Sequence, residues 1–199
     1  MFDSIYDSPH RRMIAGIHKL LEEADAVVHY NGNRFDLPIL NREFLKNGYF
    51  PPAPYRSIDL LTTVKRKFRF VSNKLDYVCE HLGLGKKHET NFKLWVDCMA
   101  LDPEAWKKMK EYNIQDVLLL EKLFHTIRPW ITNLPNFGLY QPNAKACPTC
   151  GSEKLQKRGF SYTNACKYQR YNCTKCGSWF RDGVNVGPKP GNKFMHIPV

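Results

Sequence analysis

Two Cys-x-x-Cys-Gly motifs near the carboxyl end constrain this chain more than any other feature. The pairs are Cys147-Pro-Thr-Cys150 and Cys173-Thr-Lys-Cys176, and 22 residues separate them. Four thiolates supplied in two such pairs suit one tetrahedral Zn²⁺ ion with no open coordination position, so the zinc is predicted to be structural. The segment is too small to fold on a hydrophobic core, so metal binding would supply its folding free energy.

Disulfides and a redox Cys-x-x-Cys are the competing interpretations of these cysteines. We expect the chain in the cytoplasm, because its acidic first residues lack a secretory signal and no apolar run is long enough to span a membrane. Disulfides are disfavoured in that compartment, and a redox motif is not expected as a matched pair. Three cysteines remain, of which Cys79 and Cys98 are predicted to be buried as small hydrophobic residues and Cys166 has no assigned role.

The segment around the cysteines is strongly basic and rich in aromatic residues. Residues 141–199 hold 10 Lys/Arg and 2 Asp/Glu, a net charge of +8 out of +11 for the chain. Two alternating stretches, around Phe160 and Tyr168, predict paired strands. Cations interleaved with aromatics suit phosphate contact and base stacking, which makes Lys157, Arg158 and Arg170 candidate nucleic-acid ligands, single-stranded DNA first. The alternative is a solvated tail whose aromatics only pack the strands together.

The rest of the chain alternates helical and strand patterns, which predicts an α/β layer fold. Helices are predicted at Pro9–Glu23 and from Asp36 to Lys46, with a buried strand between them and a second strand near Ile58. A long final helix begins after the N-cap Asp102. The predicted domains are a body at residues 1–132, a linker at 133–146, a zinc ribbon at 147–182 and a basic tail at 183–199.

Two segments of the body carry polar residues that need an explanation. Asn31-Gly32-Asn33-Arg34-Phe35-Asp36 follows the first strand, and Tyr112 lies four residues before Asp116 in the final helix. Residues four apart share one helix face, so the phenol and the carboxylate are neighbours on an otherwise apolar stripe. Taken singly, Asp36 could be a helix cap and Tyr112 a core aromatic. The order and separation of Asp36, Tyr112 and Asp116 favour a shared functional role over these separate structural ones.

The pair resembles motifs two and three of the proofreading-type 3′–5′ exonucleases in the ribonuclease H-like superfamily, in the subtype with a tyrosine four residues before the last acid. The resemblance covers about residues 1–140, and the whole chain, ribbon included, is similar to exonucleases of tailed phages. It implies phosphodiester hydrolysis with two Mg²⁺ or Mn²⁺ ions held by Asp36 and Asp116. It also implies that Tyr112 orients the attacking water and that Asn31 shapes the groove for the strand.

The sequence departs from this family at the first motif. The family carries an Asp-x-Glu on its first strand, and residues 1–30 contain none. Three explanations are open: a truncated or late-started chain, one half of a split exonuclease, or a degenerate, non-catalytic nucleic-acid binder. We expect the chain alone to be inactive and favour the first two explanations jointly, because both acids and the tyrosine are retained. The candidate partners are then nucleic acid, a separate amino-terminal half and replication proteins, in the cytoplasm of a bacterial host.

Overall fold

A computed structural model describes residues 9–86, 92–142 and 145–188. It divides into two compact units, residues 1–127 and residues 128–199. In the described residues no helix combines the length and the apolar character that crossing a bilayer requires.

The first unit alternates helices with two short strands, as the sequence predicted. The bounds of the first two helices agree with the prediction, because the apolar positions of each recur at helical spacing. In chain order the elements are α1 Pro9–Glu23, β1 Ala26–His29, α2 Asp36–Lys46, β2 Arg56–Asp59, α3 Leu60–Lys67, α4 Leu75–His81, α5 Phe92–Met99 and α6 Pro103–Ile127.

Strands β1 and β2 pair in parallel, with Val28 opposite Ile58 and His29 opposite Asp59. Parallel pairing needs a crossover connection, and α2 provides it. Because the strands run in the same direction, their carboxyl ends meet at one edge of the sheet. The loop after His29 and the start of α3 after Asp59 therefore lie side by side at that edge.

The apolar core of the first unit is built from helix faces. Ile14, Leu21 and Phe44 form one buried cluster between α1 and α2. The stripe of α6 contributes Leu119 and Leu123, both fully buried. Cys79 and Cys98 are also buried, which confirms the role predicted for them.

The long helix α6 begins at an N-cap that the sequence predicted. The Asp102 carboxylate accepts a hydrogen bond from the Glu104 backbone N–H at 2.9 Å. The Asp102 carbonyl accepts the first helical hydrogen bond, from the N–H of Trp106 at 3.0 Å. A satisfied amino-terminal turn fixes the starting register of the helix, and with it the face on which Tyr112 and Asp116 lie.

The second unit is a three-stranded antiparallel sheet of β3 Leu155–Tyr162, β4 Lys167–Cys173 and β5 Trp179–Asn185, in the order β3-β4-β5. The first two strands were predicted from the alternating stretches around Phe160 and Tyr168. Strand β5 was not predicted. It also extends the ribbon past its predicted end at residue 182, since Asn185 still pairs with Tyr168. The predicted linker holds a 3₁₀ turn at Phe137–Tyr140, and the basic tail from residue 189 onward lies outside the described residues.

Candidate functional site

The four cysteines of the two knuckles converge on one point in the second unit. Their sulfur atoms all lie within 4.8 Å of one another. Cys147 Sγ is 3.7 Å from Cys176 Sγ, and Cys150 Sγ is 3.7 Å from Cys173 Sγ. Tetrahedral Zn²⁺ with Zn–S bonds of about 2.3 Å places its sulfurs about 3.8 Å apart. The donor type and the spacing therefore fit this ion, and the cluster can hold a metal as the sequence predicted.

Both knuckles use the same backbone conformation. Gly151 and Gly177 take positive φ angles of 70° and 78°. Each donates its N–H to the carbonyl of the first cysteine of its pair, Cys147 or Cys173, at 2.8 Å. A side chain is strained at such angles, so glycine at these positions lets the chain fold back around the sulfurs.

Burial opposes the ionisation of two of the four thiols, Cys147 and Cys150. Burial raises the pKa of Cys147 and raises that of Cys150 to about 12. Burial also opposes ionisation of Cys176, but hydrogen bonds with Ser178, Cys150 and Cys173 outweigh it and lower the pKa of Cys176 to about 7. A divalent cation reverses the remaining penalty, because coordination favours the deprotonated thiolate.

A second group of polar residues occupies the edge where β1 and β2 end. The Gly32 N–H donates to Nδ1 of His29 at 3.0 Å, so Nε2 carries the ring proton. Nε2 lies 2.8 Å from the Ser57 hydroxyl, which in turn donates to Oδ1 of Asn33 at 2.6 Å. This chain of hydrogen bonds holds the loop between β1 and α2 against the sheet.

The backbone of this loop is anchored by Asp59. One carboxylate oxygen of Asp59 accepts the N–H of Asn31 at 2.9 Å and the N–H of Leu61 at 3.0 Å, so it also caps α3. Asn31 has a φ of 68°, which is uncommon outside glycine. Its backbone geometry is therefore set by Asp59, whereas the groove role predicted for its side chain stays a prediction.

Asp36 lies at the amino end of α2, directly after the anchored loop. It is the first helical residue and is exposed to solvent. The N-cap position belongs to Phe35, whose side chain makes no capping hydrogen bond, so the reading of Asp36 as the cap is wrong. A carboxylate in the first turn is stabilised by the helix dipole and remains open to a ligand.

Tyr112 and Asp116 lie one turn apart on α6, as predicted. Tyr112 is half-buried and packs against the cluster of Cys98, Ala105 and Met109. Asp116 is also half-buried, and its Oδ1 atom is shielded from solvent. The packing of Tyr112 agrees with its interpretation as a core aromatic.

The carboxylates of the body do not by themselves form a full metal site within the described residues. Among residues 9–86, 92–142 and 145–188, the four cysteines are the one group of three or more metal-ligating side chains that converge. Asp36 and Asp116 have the hard oxygen donors that Mg²⁺ and Mn²⁺ prefer. The donor type fits these ions, but the number of donors requires further acidic ligands.

The cations predicted to bind nucleic acid do not share one face of the ribbon sheet. Lys157 is the cross-strand partner of Tyr171, so the two side chains point to the same side. Arg170 precedes Tyr171 in β4 and therefore points to the opposite side. Arg158 lies in the bulge of β3, where its carbonyl accepts the Nε–H of Arg170 at 2.9 Å.

Several residues of these sites were missed in the sequence. His29 and Asp59 are the last residues of two neighbouring parallel strands. Polar residues at the ends of two predicted strands were the sequence signal that could have identified them. Trp179 and Arg181 lie in β5, a strand that was not predicted from the sequence.

Comparison with known families agrees with the architecture of the first unit. The family model described as RNase_H superfamily matches residues 6–128, more than half of the chain. The chain therefore belongs to the ribonuclease H superfamily. No curated protein matches it. Membership indicates nuclease-related activity on a nucleic-acid substrate, and the four-cysteine cluster is compatible with a zinc ribbon.

Proposed function

We propose that this chain carries the second and third motifs of a 3′–5′ exonuclease that acts on DNA, or RNA, by two-metal-ion hydrolysis. The observation that carries the proposal is the placement of three side chains in a ribonuclease H superfamily domain. Asp36 begins the helix after a parallel strand, and Tyr112 and Asp116 lie one turn apart on α6. This is the order and spacing of the tyrosine-containing exonucleases that the sequence resembles.

The roles of the three residues follow from their chemistry. Asp36 and Asp116 would hold the divalent ions, since carboxylate oxygens are the preferred ligands of Mg²⁺ and Mn²⁺. When bound, such ions activate water and stabilise charge on the scissile phosphate. The phenol of Tyr112 can hold a water molecule by a hydrogen bond while its ring stays packed against Met109. The Asp-x-Glu that would complete the donor set has to be supplied, because residues 1–30 contain none.

In this proposal the second unit binds the nucleic acid. Zn²⁺ held by Cys147, Cys150, Cys173 and Cys176 would stabilise the ribbon, and four thiolates leave no coordination position for catalysis. Residues 141–199 carry a net charge of +8, which favours a polyanionic partner. A single-stranded nucleic acid held by this basic ribbon would keep its local concentration high near the exonuclease domain.

A second candidate is a nucleic-acid-binding module without catalysis. It is favoured because, among the described residues, no three carboxylates converge on a point that could hold a metal ion. The two candidates differ in what happens when the missing motif is supplied. An exonuclease gains metal-dependent turnover, whereas a binding module does not.

The test compares the chain alone with the chain joined to an amino-terminal segment that carries an apolar strand with Asp-x-Glu. The substrate is a single-stranded oligonucleotide labelled at its 5′ end, with Mg²⁺, Mn²⁺ or Ca²⁺ added. The proposal predicts products that shorten stepwise and keep the label, in Mg²⁺ or Mn²⁺ but not in Ca²⁺, and only from the completed protein. Asp116→Asn should abolish them. A completed protein that binds Mn²⁺ and the oligonucleotide but releases no nucleotide would support the binding module instead.

A further inference from the structure

The two faces of the ribbon sheet differ in their cations and in how their aromatic rings are used. One face, here called the arginine face, consists of Tyr168, Arg170, Trp179 and Arg181. These residues share a side because Arg170 pairs with Arg181 across the strands, and Trp179 pairs with Asn172, two residues along from Arg170. Contacts between the side chains agree with this assignment.

Both arginines of this face lie against aromatic rings. The guanidinium carbon of Arg181 is 3.9 Å from the centre of the Tyr168 ring, and that of Arg170 is 5.1 Å from the centre of the Trp179 ring. The Nε–H of Arg170 also donates to the Arg158 carbonyl, which leaves its terminal nitrogens for a ligand. Cation–π contact and this hydrogen bond hold the guanidinium groups in place before any ligand binds.

The pairing of the two arginines is unfavourable in the free protein. Like charges directly opposite each other on neighbouring strands destabilise a sheet. A phosphate bound between Arg170 and Arg181 would remove this repulsion and would suit charge-assisted hydrogen bonds to both guanidinium groups. The pairing of Arg170 with Arg181 therefore destabilises the free sheet but favours the binding of an anion.

The opposite face, here called the lysine face, consists of Lys157, Phe160, Lys167, Tyr171, Phe180 and Asp182. Apart from the exposed Lys157, these side chains contact one another. Lys167 Nζ lies 3.9 Å from the centre of the Phe160 ring, and Tyr171 stacks on Phe180 at 5.6 Å between ring centres. The Tyr171 hydroxyl lies 3.1 Å from a carboxylate oxygen of Asp182. This carboxylate lowers the positive charge of the lysine face, so a polyanion should prefer the arginine face.

We infer that the arginine face is the site where single-stranded nucleic acid binds, with one phosphate between Arg170 and Arg181 and a base stacked on Trp179. The inference rests on the nucleic-acid function proposed above and assigns it to four residues of one face. Trp179 is 58% exposed, so its ring offers a stacking surface. Bases are available for such stacking in a single strand, whereas in a duplex they are stacked on each other.

The test measures binding of the full, zinc-loaded chain to a fluorescent oligothymidylate of about 20 nucleotides. Fluorescence anisotropy is recorded at several NaCl concentrations, without chelator, so that zinc stays bound, and without Mg²⁺ or Mn²⁺, so that hydrolysis plays no part. The variants are Arg170→Gln, Arg181→Gln, Trp179→Ala and Trp179→Phe. The matched control is Lys167→Gln, which removes one positive charge from the lysine face of the same strand. Zinc content is measured for every variant to show that the ribbon is folded.

Each arginine variant should raise Kd several-fold and reduce the slope of log K against log salt by about 0.7, the value for one lost phosphate contact on a single strand. Trp179→Ala should raise Kd about tenfold with an unchanged slope, because stacking releases no counterions. Trp179→Phe should restore most of the affinity, since phenylalanine keeps a stacking face. The Lys167→Gln control should change Kd by less than either arginine variant.

Two outcomes would overturn the inference in different ways. If the wild-type chain binds the oligonucleotide but the arginine and tryptophan variants behave like Lys167→Gln, the arginine face is not the site, and the proposed function is unaffected. If the wild-type chain binds neither oligothymidylate nor a single-stranded RNA at low salt, the proposed nucleic-acid role of the ribbon fails, and the inference fails with it. Equal affinity for polyglutamate would also overturn it, since an acidic peptide offers no base for Trp179.

Discussion

Gly32 lies directly against the imidazole ring of His29. A methyl group built on its Cα would stand 2.7 Å from the ring Cγ atom and 2.8 Å from Nδ1. Because the same ring accepts the Gly32 N–H and contacts Ser57, the absence of a side chain at residue 32 is what allows the loop to close on the strand.

Gly32→Ala should therefore destabilise the first unit by about 1–3 kcal/mol, the range found when extra atoms are forced into a packed site. The measurement is urea unfolding followed by circular dichroism at a helical wavelength. Gly16→Ala is the matched control, since nothing lies within 4 Å of a methyl group at that helical position. The control should be neutral or slightly stabilising, because alanine favours a helix. Equal effects of the two substitutions would show that the ring contact does not matter.

Asp59 is expected to matter as a hydrogen-bond acceptor rather than as a charge. Its Oδ1 atom accepts two backbone N–H groups, from Asn31 and Leu61. Asp59→Asn keeps one side-chain oxygen that can accept both hydrogen bonds. Asp59→Ala removes this acceptor from the N–H groups of Asn31 and Leu61. Thermal unfolding should show a small loss for the asparagine variant and a loss of about 1–2 kcal/mol for the alanine variant, the usual range for a removed helix cap. Equal losses would mean that the negative charge is what stabilises this edge.

The cysteine cluster should bind one zinc ion, and its loss should unfold only the second unit. Cys147→Ser or Cys173→Ser should lower the zinc content well below one equivalent, whereas Cys166→Ser should leave it unchanged, because Cys166 is not in the cluster. Chelation should abolish the near-ultraviolet signal of the ribbon tyrosines while the helical signal of the first unit persists. Retention of full zinc content by either ligand variant would contradict the assignment.

Zinc uptake by the metal-free protein should release protons. Burial raises the pKa of Cys147 and of Cys150, so both thiols carry protons at neutral pH until the metal displaces them. The apparent affinity for zinc should therefore rise as pH increases from 6 to 8. Calorimetric titration in buffers of different ionisation enthalpy measures the protons released. An affinity that is constant over this range would show that the thiols are already ionised.

Tyr112→Phe and Asp116→Asn should separate two roles on α6 in the completed enzyme. The tyrosine variant should lower turnover by about a hundredfold, the effect expected when a reacting group is misplaced, while Mn²⁺ binding is unchanged. The aspartate variant should lower both, because its carboxylate is a proposed ligand. Tyr140→Phe, at an exposed tyrosine outside the proposed site, is the control and should have no effect. Loss of Mn²⁺ binding in Tyr112→Phe would assign the phenol to the metal instead.

The helices of the first unit could be predicted from the sequence because their signals are local. The Asp102 cap and the apolar spacing of α1 and α2 are contained within about a dozen residues each. The cysteine cluster was predictable for the same reason, since each Cys-x-x-Cys pair is a local motif. The α/β class followed from the alternation of these elements.

What could not be predicted depends on pairing between distant segments. Strand β5 forms because Trp179 and Arg181 pair with residues of β4. The residues next to them in the sequence do not indicate this pairing. The separation of Lys157 from Arg170 onto opposite faces follows from strand register, which a charge pattern does not reveal. The network of His29, Ser57 and Asp59 likewise requires the parallel pairing of two strands.

Gly151 and Gly177 have matching backbone conformations, so a metal ion can be bound in two steps. The first step uses one cysteine pair, and the second brings the other pair to the ion. Each knuckle can arrange its two sulfurs without the other, so a metal ion can be held first by one pair. Closing the 22-residue segment between the pairs then costs about 3 kcal/mol of chain entropy, which two further metal–sulfur bonds exceed. A ribbon that holds a metal ion in this way would lose it slowly, since both cysteine pairs would have to open before the ion could leave.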